Sequence, residues 1–383
     1  MSTFAKSEVT SYPYRSWVEI SLSRIAENFR AIRALVGPGV EVMPVVKADA
    51  YRHGAVEVSR TLEAEGARWL AVSSADEGIA LRDAGIRARI LVMADFLPFS
   101  REAMLAYQLT PLIHSLEDLD ALNTLAARRE ERIRYHLKID TGMGRLGIRP
   151  GAAIAEAIDA ARFTKLEGLM THFASSANYT SQQTEQQLEL FESVVSALHA
   201  AGINPEIAHL SSTVPVAYGR KGAWRQMVRP GHAIYGYVSP TRGSAPPRLL
   251  HVQPALSWRA TVLSVKDVPA GAQIGYGGMF TTMVPSRIAV LAAGYADGIP
   301  HRLSNRGAVI VKGTLAPIIG AVSMDLSTVD VTNAPPVRQG DMVTLLGKEG
   351  NVSVDAQEIA RLAGTISYSV LCGIHARVKR IYV

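Results

Sequence analysis

Residues 109–139 read LTPLIHSLEDLDALNTLAARREERIRYHLKI. A short apolar run, Leu109–His114, gives way to a stretch with apolar residues at helical spacing, Leu116–Arg129. A second strand-like run, Arg134–Ile139, follows. Strand, helix, strand in this order is the parallel βαβ unit. The alternation continues on both sides. Upstream, Val40–Val46, Trp69–Ser73 and Ala88–Met93 read as strands, with helical patterns at Val56–Glu65 and Ser74–Ala84. Downstream, Leu166–His172, Ile207–Leu210 and Met227–Val228 read as strands, and Gln182–Ala201 as a helix. The strand-like runs of the first 240 residues number eight, which is the count that closes a barrel. The reading predicts a (β/α)8 TIM-type barrel over residues 1–240.

The segment Ser239-Pro-Thr-Arg-Gly-Ser-Ala-Pro-Pro247 breaks the rhythm and has the composition of a linker. Beyond it come Ala260–Val268, Arg287–Ala293, Ala308–Val311, Ile318–Val322, Thr328–Val331 and Met342–Leu346, short alternating runs parted by Gly and Pro turns. Only Ala356–Ala363 looks helical there, and Val370–Cys372 looks strand-like. Residues 241–383 are therefore expected to form a mostly-β C-terminal domain.

Composition narrows the function classes. Of 383 residues, 40 are Lys or Arg and 34 are Asp or Glu, giving a net charge of +6. The densest basic stretch, Arg128 to Arg134, is interrupted by Glu130 and Glu131, and aromatics do not interleave with bases. That pattern argues against nucleic acid and is satisfied by a small anionic substrate or cofactor. One cysteine, Cys372, leaves no intrachain disulfide and no Cys-cluster metal site. With no secretory h-region at the start and no apolar run long enough to span a bilayer, a cytoplasmic protein without membrane attachment is expected.

In a barrel of this kind, chemistry sits at the C-terminal ends of the strands. Those ends carry Lys47, Lys138 with Arg145 beyond it, His172, Ser212-Thr213, and Arg229-Pro-Gly231. Lys47 lies between an apolar strand and a loop, where burial favours a neutral amine able to condense with an aldehyde. A solvent-facing lysine is the alternative. Lys138 paired with Asp140 or Glu167, and His172 as a satisfied core histidine, are the corresponding plain readings.

The stretches VVKADAY, LKIDTGMGRLG, THFA, VRPGHAIYG, GYADG, SMD and ISYSVLC, in that order from Trp17 to Val383, resemble the alanine racemase family of pyridoxal-phosphate enzymes. The resemblance implies a homodimer with shared active sites that interconverts L- and D-alanine and supplies D-alanine for peptidoglycan. It implies Lys47 as cofactor lysine and one catalytic base, with Tyr295 of the partner subunit as the other. One base on a fixed carbon cannot easily reach both faces, so a second group is expected. The resemblance also implies that Arg229 faces the pyridine nitrogen, weakening the ring as an electron sink, and that His172 hydrogen-bonds Arg229. Tyr51, Thr213, Gly231, His232 and Tyr368 would hold the phosphate. Arg145 and the backbone N–H of Met324 of the partner subunit would take the substrate carboxylate, and Lys138 would be the residue that some members carry as a carbamate.

The chain also departs from the family pattern. Tyr51-Arg52-His53-Gly54 stands where Tyr-Gly-His-Gly is usual, and Ser212-Thr213 replaces an Asn-Ser pair. Ala177 and Ala321 occupy places commonly held by an aspartate and an arginine of the access corridor. A more open entrance and some turnover of serine are expected from these two. Competing readings are a serine or broad-specificity racemase, a non-catalytic pyridoxal-phosphate-binding protein, and a decarboxylase. A decarboxylase of this fold usually draws its acid from an interface cysteine. Tyr295 and Met324 in a second domain argue against the binding protein. Arg229, and Cys372 read as structural, argue against the decarboxylase.

Overall fold

A computed structural model describes residues 14–383. Its contacts divide them into two compact units. One is Leu22–Gln253, and the other joins the segment ending at Ser21 to Pro254–Val383. Residues 14–21, placed by sequence with the barrel, thus pack in the same unit as the C-terminal half. The reason is pairing. β1 (Ser16–Ile20) lies antiparallel to β10 (Leu256–Val268) and parallel to β19 (Lys379–Tyr382), so its hydrogen-bond partners lie over 200 residues away.

The strands of the first unit are β2 (Glu41–Val42), β3 (Trp69–Val72), β4 (Arg89–Val92), β5 (Thr110–Ile113), β6 (Ile133–Lys138), β7 (Thr164–Met170), β8 (Ile207–His209) and β9 (Met227–Val228). β3 to β8 form a six-stranded parallel sheet in chain order. β2 pairs in parallel with β9, and a bridge from Val45 to Ala71 carries the chain after β2 onto β3. Across the seam next to β9 the backbone Arg229 N–H donates to the Ser211 carbonyl at 2.8 Å. Strands covered on both faces are nearly continuous in apolar residues: Leu70, Ile90, Leu91, Leu112, Ile113 and Leu137 are fully buried. The connecting helices are amphipathic. Leu116–Arg129 is capped by Ser115, whose hydroxyl accepts the Asp118 N–H at 3.0 Å, and it buries Leu119, Leu122, Leu125 and Ala126.

The second unit adds β11 (Gln273–Ile274), β12 (Phe280–Thr281), β13 (Ser286–Leu291), β14 (Ala308–Val311), β15 (Thr314–Pro317), β16 (Ser327–Asp330), β17 (Met342–Glu349) and β18 (Val352–Val354). One nine-stranded sheet runs β15-β14-β17-β10-β1-β19, with β13, β16 and β18 branching from it. Val370–Cys372 corrects the strand reading, since these residues end a helix, Ser367–Cys372. Its buried residues, Ser367, Val370 and Leu371, recur at helical spacing, which a three-residue apolar run does not reveal. Among the described residues, no helix is long and apolar enough to cross a membrane.

Candidate active site

Lys47 follows Val46 at the C-terminal end of the first barrel strand, and the backbone immediately after it is left-handed. Ala48, Asp49, Ala50 and Tyr51 have φ of 52–55° and ψ of 40–49°, and Arg52 has φ 67°. Non-glycine residues resist this conformation by roughly 1–2 kcal/mol each, so the surroundings must hold it. The Glu77 carboxylate accepts the Ala48 N–H at 2.6 Å and the Ser73 N–H at 2.7 Å, tying the turn to the end of β3. Asp49 accepts the Ala55 N–H at 2.8 Å, and the buried His53 ring lies 3.1 and 3.0 Å from the carbonyls of Ala50 and Tyr51. Strain held in this way marks functional positions.

Arg229 is 2 % exposed and emerges from β9. Its Nη1 donates to the His209 carbonyl at 2.6 Å and lies 3.1 Å from His209 Nδ1. Its Nη2 donates to the carbonyls of Thr171 and Leu210 at 2.8 and 3.1 Å, and lies 3.3 Å from His172 Nδ1. Among the described residues Nε–H has no protein acceptor. Burial pushes the guanidinium down to about 9, so it remains a cation at neutral pH.

The contacts of Arg229 continue into a buried chain that the sequence did not disclose. His209 Nε2 lies 2.8 Å from His136 Nδ1, and His136 Nε2 lies 3.7 Å from Glu167. Arg89 grips Glu167 with two bonds of 2.7 and 2.6 Å, and Arg134 adds one of 2.9 Å. Because Arg229 only donates, His209 must accept at Nδ1 and carry its proton on Nε2. His136 then accepts in turn and points its own N–H at Glu167. These tautomers are assigned from the network. Burial pushes both histidines down, keeping them neutral. Burial alone would raise Glu167, but the nearby His136 N–H and the two bonds from Arg89 outweigh it and hold the carboxyl well below the usual range. Glu167 is thereby committed to the arginines.

Lys138 is 3 % exposed, and among the described residues no carboxylate lies within ion-pair distance of it. Neither plain pairing, with Asp140 or Glu167, is present. Burial, with the charges of Arg145, Arg229 and Lys47, brings its ammonium down to about 8. The Asp140 side chain instead accepts three backbone N–H groups, from Gly142, Met143 and Gly144, at 2.9–3.1 Å. That nest folds the loop carrying the exposed Arg145. Burial, Arg229, Lys138, Arg145 and Lys47 together push His172 down to about 3. Gln187 donates to the His172 carbonyl at 3.0 Å and to Thr141 Oγ1 at 3.2 Å, joining β7 to the Arg145 loop. An amide on an amphipathic helix carries no sequence signal of that role.

The Tyr51 hydroxyl lies over Gly231, so closely that a Cβ there would collide with it. Tyr51 also packs on Tyr235 at 4.7 Å between ring centroids, and Thr213 Oγ1 accepts the Ala233 N–H at 3.1 Å. Burial pushes His232, beside Gly231, down to about 3. The remaining sequence-selected residues lie in the second unit. Tyr295 and Met324 are 42 % and 54 % exposed on two adjacent loops, and Tyr368 lies in the first turn of the helix Ser367–Cys372.

The charges of Arg145, Arg229 and Lys47 thus bear on Lys138, and those of all four bear on His172. An excess of cations in one place calls for an anion. Pyridoxal phosphate suits this donor set. Lys47 offers the amine, Arg229 Nε–H faces no protein acceptor among the described residues, and glycine at 231 admits the Tyr51 hydroxyl into the place a Cβ would fill. A lysine, a neutral histidine and buried arginine at the mouth of a parallel barrel define an enzyme that works on a small anionic substrate with an aldehyde cofactor.

Comparison with known proteins specifies which. The family profile for the alanine racemase N-terminal domain matches residues 20–240, and that for the C-terminal domain matches residues 255–382. Alanine racemase of Carboxydothermus hydrogenoformans is 41% identical over 368 residues, covering 96% of this chain and 99% of that one. The crystal structure of alanine racemase from D-cycloserine producing Streptomyces lavendulae superposes with a TM-score of 0.90 at 32% identity, covering 97% and 98% of the two chains. Alanine racemase from Bartonella henselae with covalently bound pyridoxal phosphate gives a TM-score of 0.85 at 27% identity, covering 97% and 100%. The chain belongs to the alanine racemase family and is an isomerase acting on amino acids.

Proposed function

We propose that the protein interconverts L- and D-alanine with pyridoxal phosphate, as a cytoplasmic homodimer that supplies D-alanine for peptidoglycan. The observation that carries this reading is the cluster of Lys47, Lys138, Arg145 and Arg229 at one barrel mouth, with no carboxylate among the described residues paired to Lys138. When bound, the pyridoxal ring delocalises the electron pair left on Cα once its proton is removed. Lys47 Nζ binds the aldehyde and moves the proton on one face. The phenol oxygen of Tyr295 of the partner subunit moves it on the other. Arg229, fixed by three carbonyls, would offer Nε–H to the ring nitrogen and, staying charged, would leave that nitrogen unprotonated. Tyr51, Thr213, Gly231 and His232, with Tyr368, hold the phosphate. Arg145 and Met324 N–H of the partner subunit orient the substrate carboxylate. Lys138, buried and brought to about 8, is the amine suited to a carbamate that steadies Arg145.

The test is a visible spectrum of the purified protein, followed by turnover of each enantiomer with chiral analysis. A cofactor band lost in Lys47→Ala, together with interconversion of alanine, is the expected result. A band without turnover of any amino acid favours a binding protein, and no band after adding cofactor overturns the Lys47 assignment. Ala177 and Ala321 favour measurable serine turnover beside alanine, and kinetics confined to alanine would remove that extension.

A further inference from the structure

The loop after β13 and the loop before β16 are bound to each other backbone to backbone. Tyr295 N–H donates to the Ser323 carbonyl at 3.0 Å, and Ala296 N–H to the Met324 carbonyl at 2.9 Å. At Gly294 a Cβ would collide with the carbonyl oxygens of Ser323 and Met324, so the approach needs glycine. Asp297 is 4 % exposed and its Oδ2 accepts the Gly294 N–H at 2.9 Å. A single guanidinium joins the two loops. Arg377 donates to both oxygens of Asp297 at 2.7 and 2.9 Å, and to Asp325 Oδ1 at 2.7 Å. Asp325 adjoins Met324, and Arg377 lies two residues before β19, which is paired to β1 in the sheet. Tyr295 and Met324 thus present exposed groups from a backbone that is held on every side, and Met324 N–H has no acceptor among the described residues.

We infer that Arg377 is a positioning residue that holds the Tyr295 phenol and the Met324 N–H in register through Asp297 and Asp325. The inference rests on the proposed roles of Tyr295 and Met324. A fork of parallel N–H donors grips two carboxylates where a lysine grips one, so Arg377→Lys keeps only part of the arrangement. An acid–base group displaced by about 1 Å loses on the order of a hundredfold in rate.

Steady-state racemisation cannot separate the two faces of Cα. The enantiomers have equal free energy in solution, so kcat/KM is equal in both directions for any variant. Exchange of the α-hydrogen with solvent deuterium in the holoenzyme separates them. Arg377→Met is expected to slow exchange from L-alanine on the order of a hundredfold, while exchange from D-alanine falls far less, through the carboxylate contact alone, and Arg377→Lys recovers part of the loss. Asp325→Asn leaves the buried Asp297 pair intact and gives a smaller loss on the same face, which keeps the test available where Arg377→Met folds poorly. Arg361→Met, which breaks a pair within one helix, changes neither face. Exchange falling equally from both enantiomers, or from neither, overturns the inference. Tyr295→Phe, run beside these, tests the underlying reading. Face-selective loss in Tyr295→Phe without such loss in Arg377→Met and Asp325→Asn rejects the Arg377 inference alone, whereas no selective loss in Tyr295→Phe rejects the role of Tyr295 itself.

Discussion

Arg52 stands at φ 67°, in the turn that follows the cofactor lysine, where the family pattern it resembles has glycine. A side chain with a Cβ meets the following carbonyl there, and a β-branched one meets it hardest. Arg52→Val is therefore expected to lower stability by about 1–2 kcal/mol, while Arg52→Gly is tolerated. Thermal denaturation of the holoenzyme checks the pair, and equal effects would refute the strain account. Lys47 and Tyr295 differ in the face of Cα that they serve. Tyr295→Ala should impair removal of the proton from L-alanine more than from D-alanine, read as solvent deuterium exchange from each enantiomer. Loss of equal size from both would leave Tyr295 without a face-specific role.

The chain from Arg229 to Glu167 belongs to the scale of elements, because each member comes from a different place in the barrel. His136 is on β6, Glu167 on β7, His209 on β8, and Arg229 just beyond β9. Glu167 is the one anion in that interior row and is nearly inaccessible, while Arg89 and Arg134 are half-exposed. Removing one partner of a buried charge network costs about 3 kcal/mol or more, here at the low end because solvent reaches both arginines. Glu167→Gln is expected to show that loss in denaturant titration at neutral pH. The carboxyl sits below its ordinary range in the fold, so its contribution is present above about 4.5 and is lost as pH falls through the lowered folded value. The gap between wild type and Glu167→Gln should accordingly close in acid. A gap independent of pH would show that the amide, not the charge, makes the contact.

At the scale of the whole molecule, buried neutral histidines make stability depend on pH. His172 and His232 are held at about 3 against an unfolded value of 6.5, chiefly by burial. Between those values the unfolded chain binds protons that the folded barrel refuses. Stability therefore rises with pH from about 3 to 6.5 and levels off above that range. Buried His136 and His209, pushed the same way, add to the slope. Urea midpoints measured across this window test the sign, and a flat profile would contradict it.

Local pattern determined much of this protein. Apolar periodicity alone located the helix at Gln182–Ala201, observed as Gln183–Ala200, and the third barrel strand at Ala88–Met93, observed as Arg89–Val92. Strand period and helix period are written within a dozen residues, so no tertiary partner is needed to read them. The strand ends also displayed Lys47, Lys138, His172 and Arg229, because βαβ order carries every strand end to the same face. Tertiary structure decided what depends on distant partners. The place of Ser16–Ile20 is set by β10 and β19, and the helix at Ser367–Cys372 by the core it packs into. The left-handed turn at Ala48–Tyr51 is held by Glu77, which lies 29 residues from Ala48. His136, Glu167 and His209 look like ordinary strand residues until the barrel curls and brings them into one buried row. Contacts between residues far apart in the chain leave no periodic trace, since either partner alone is compatible with many surroundings.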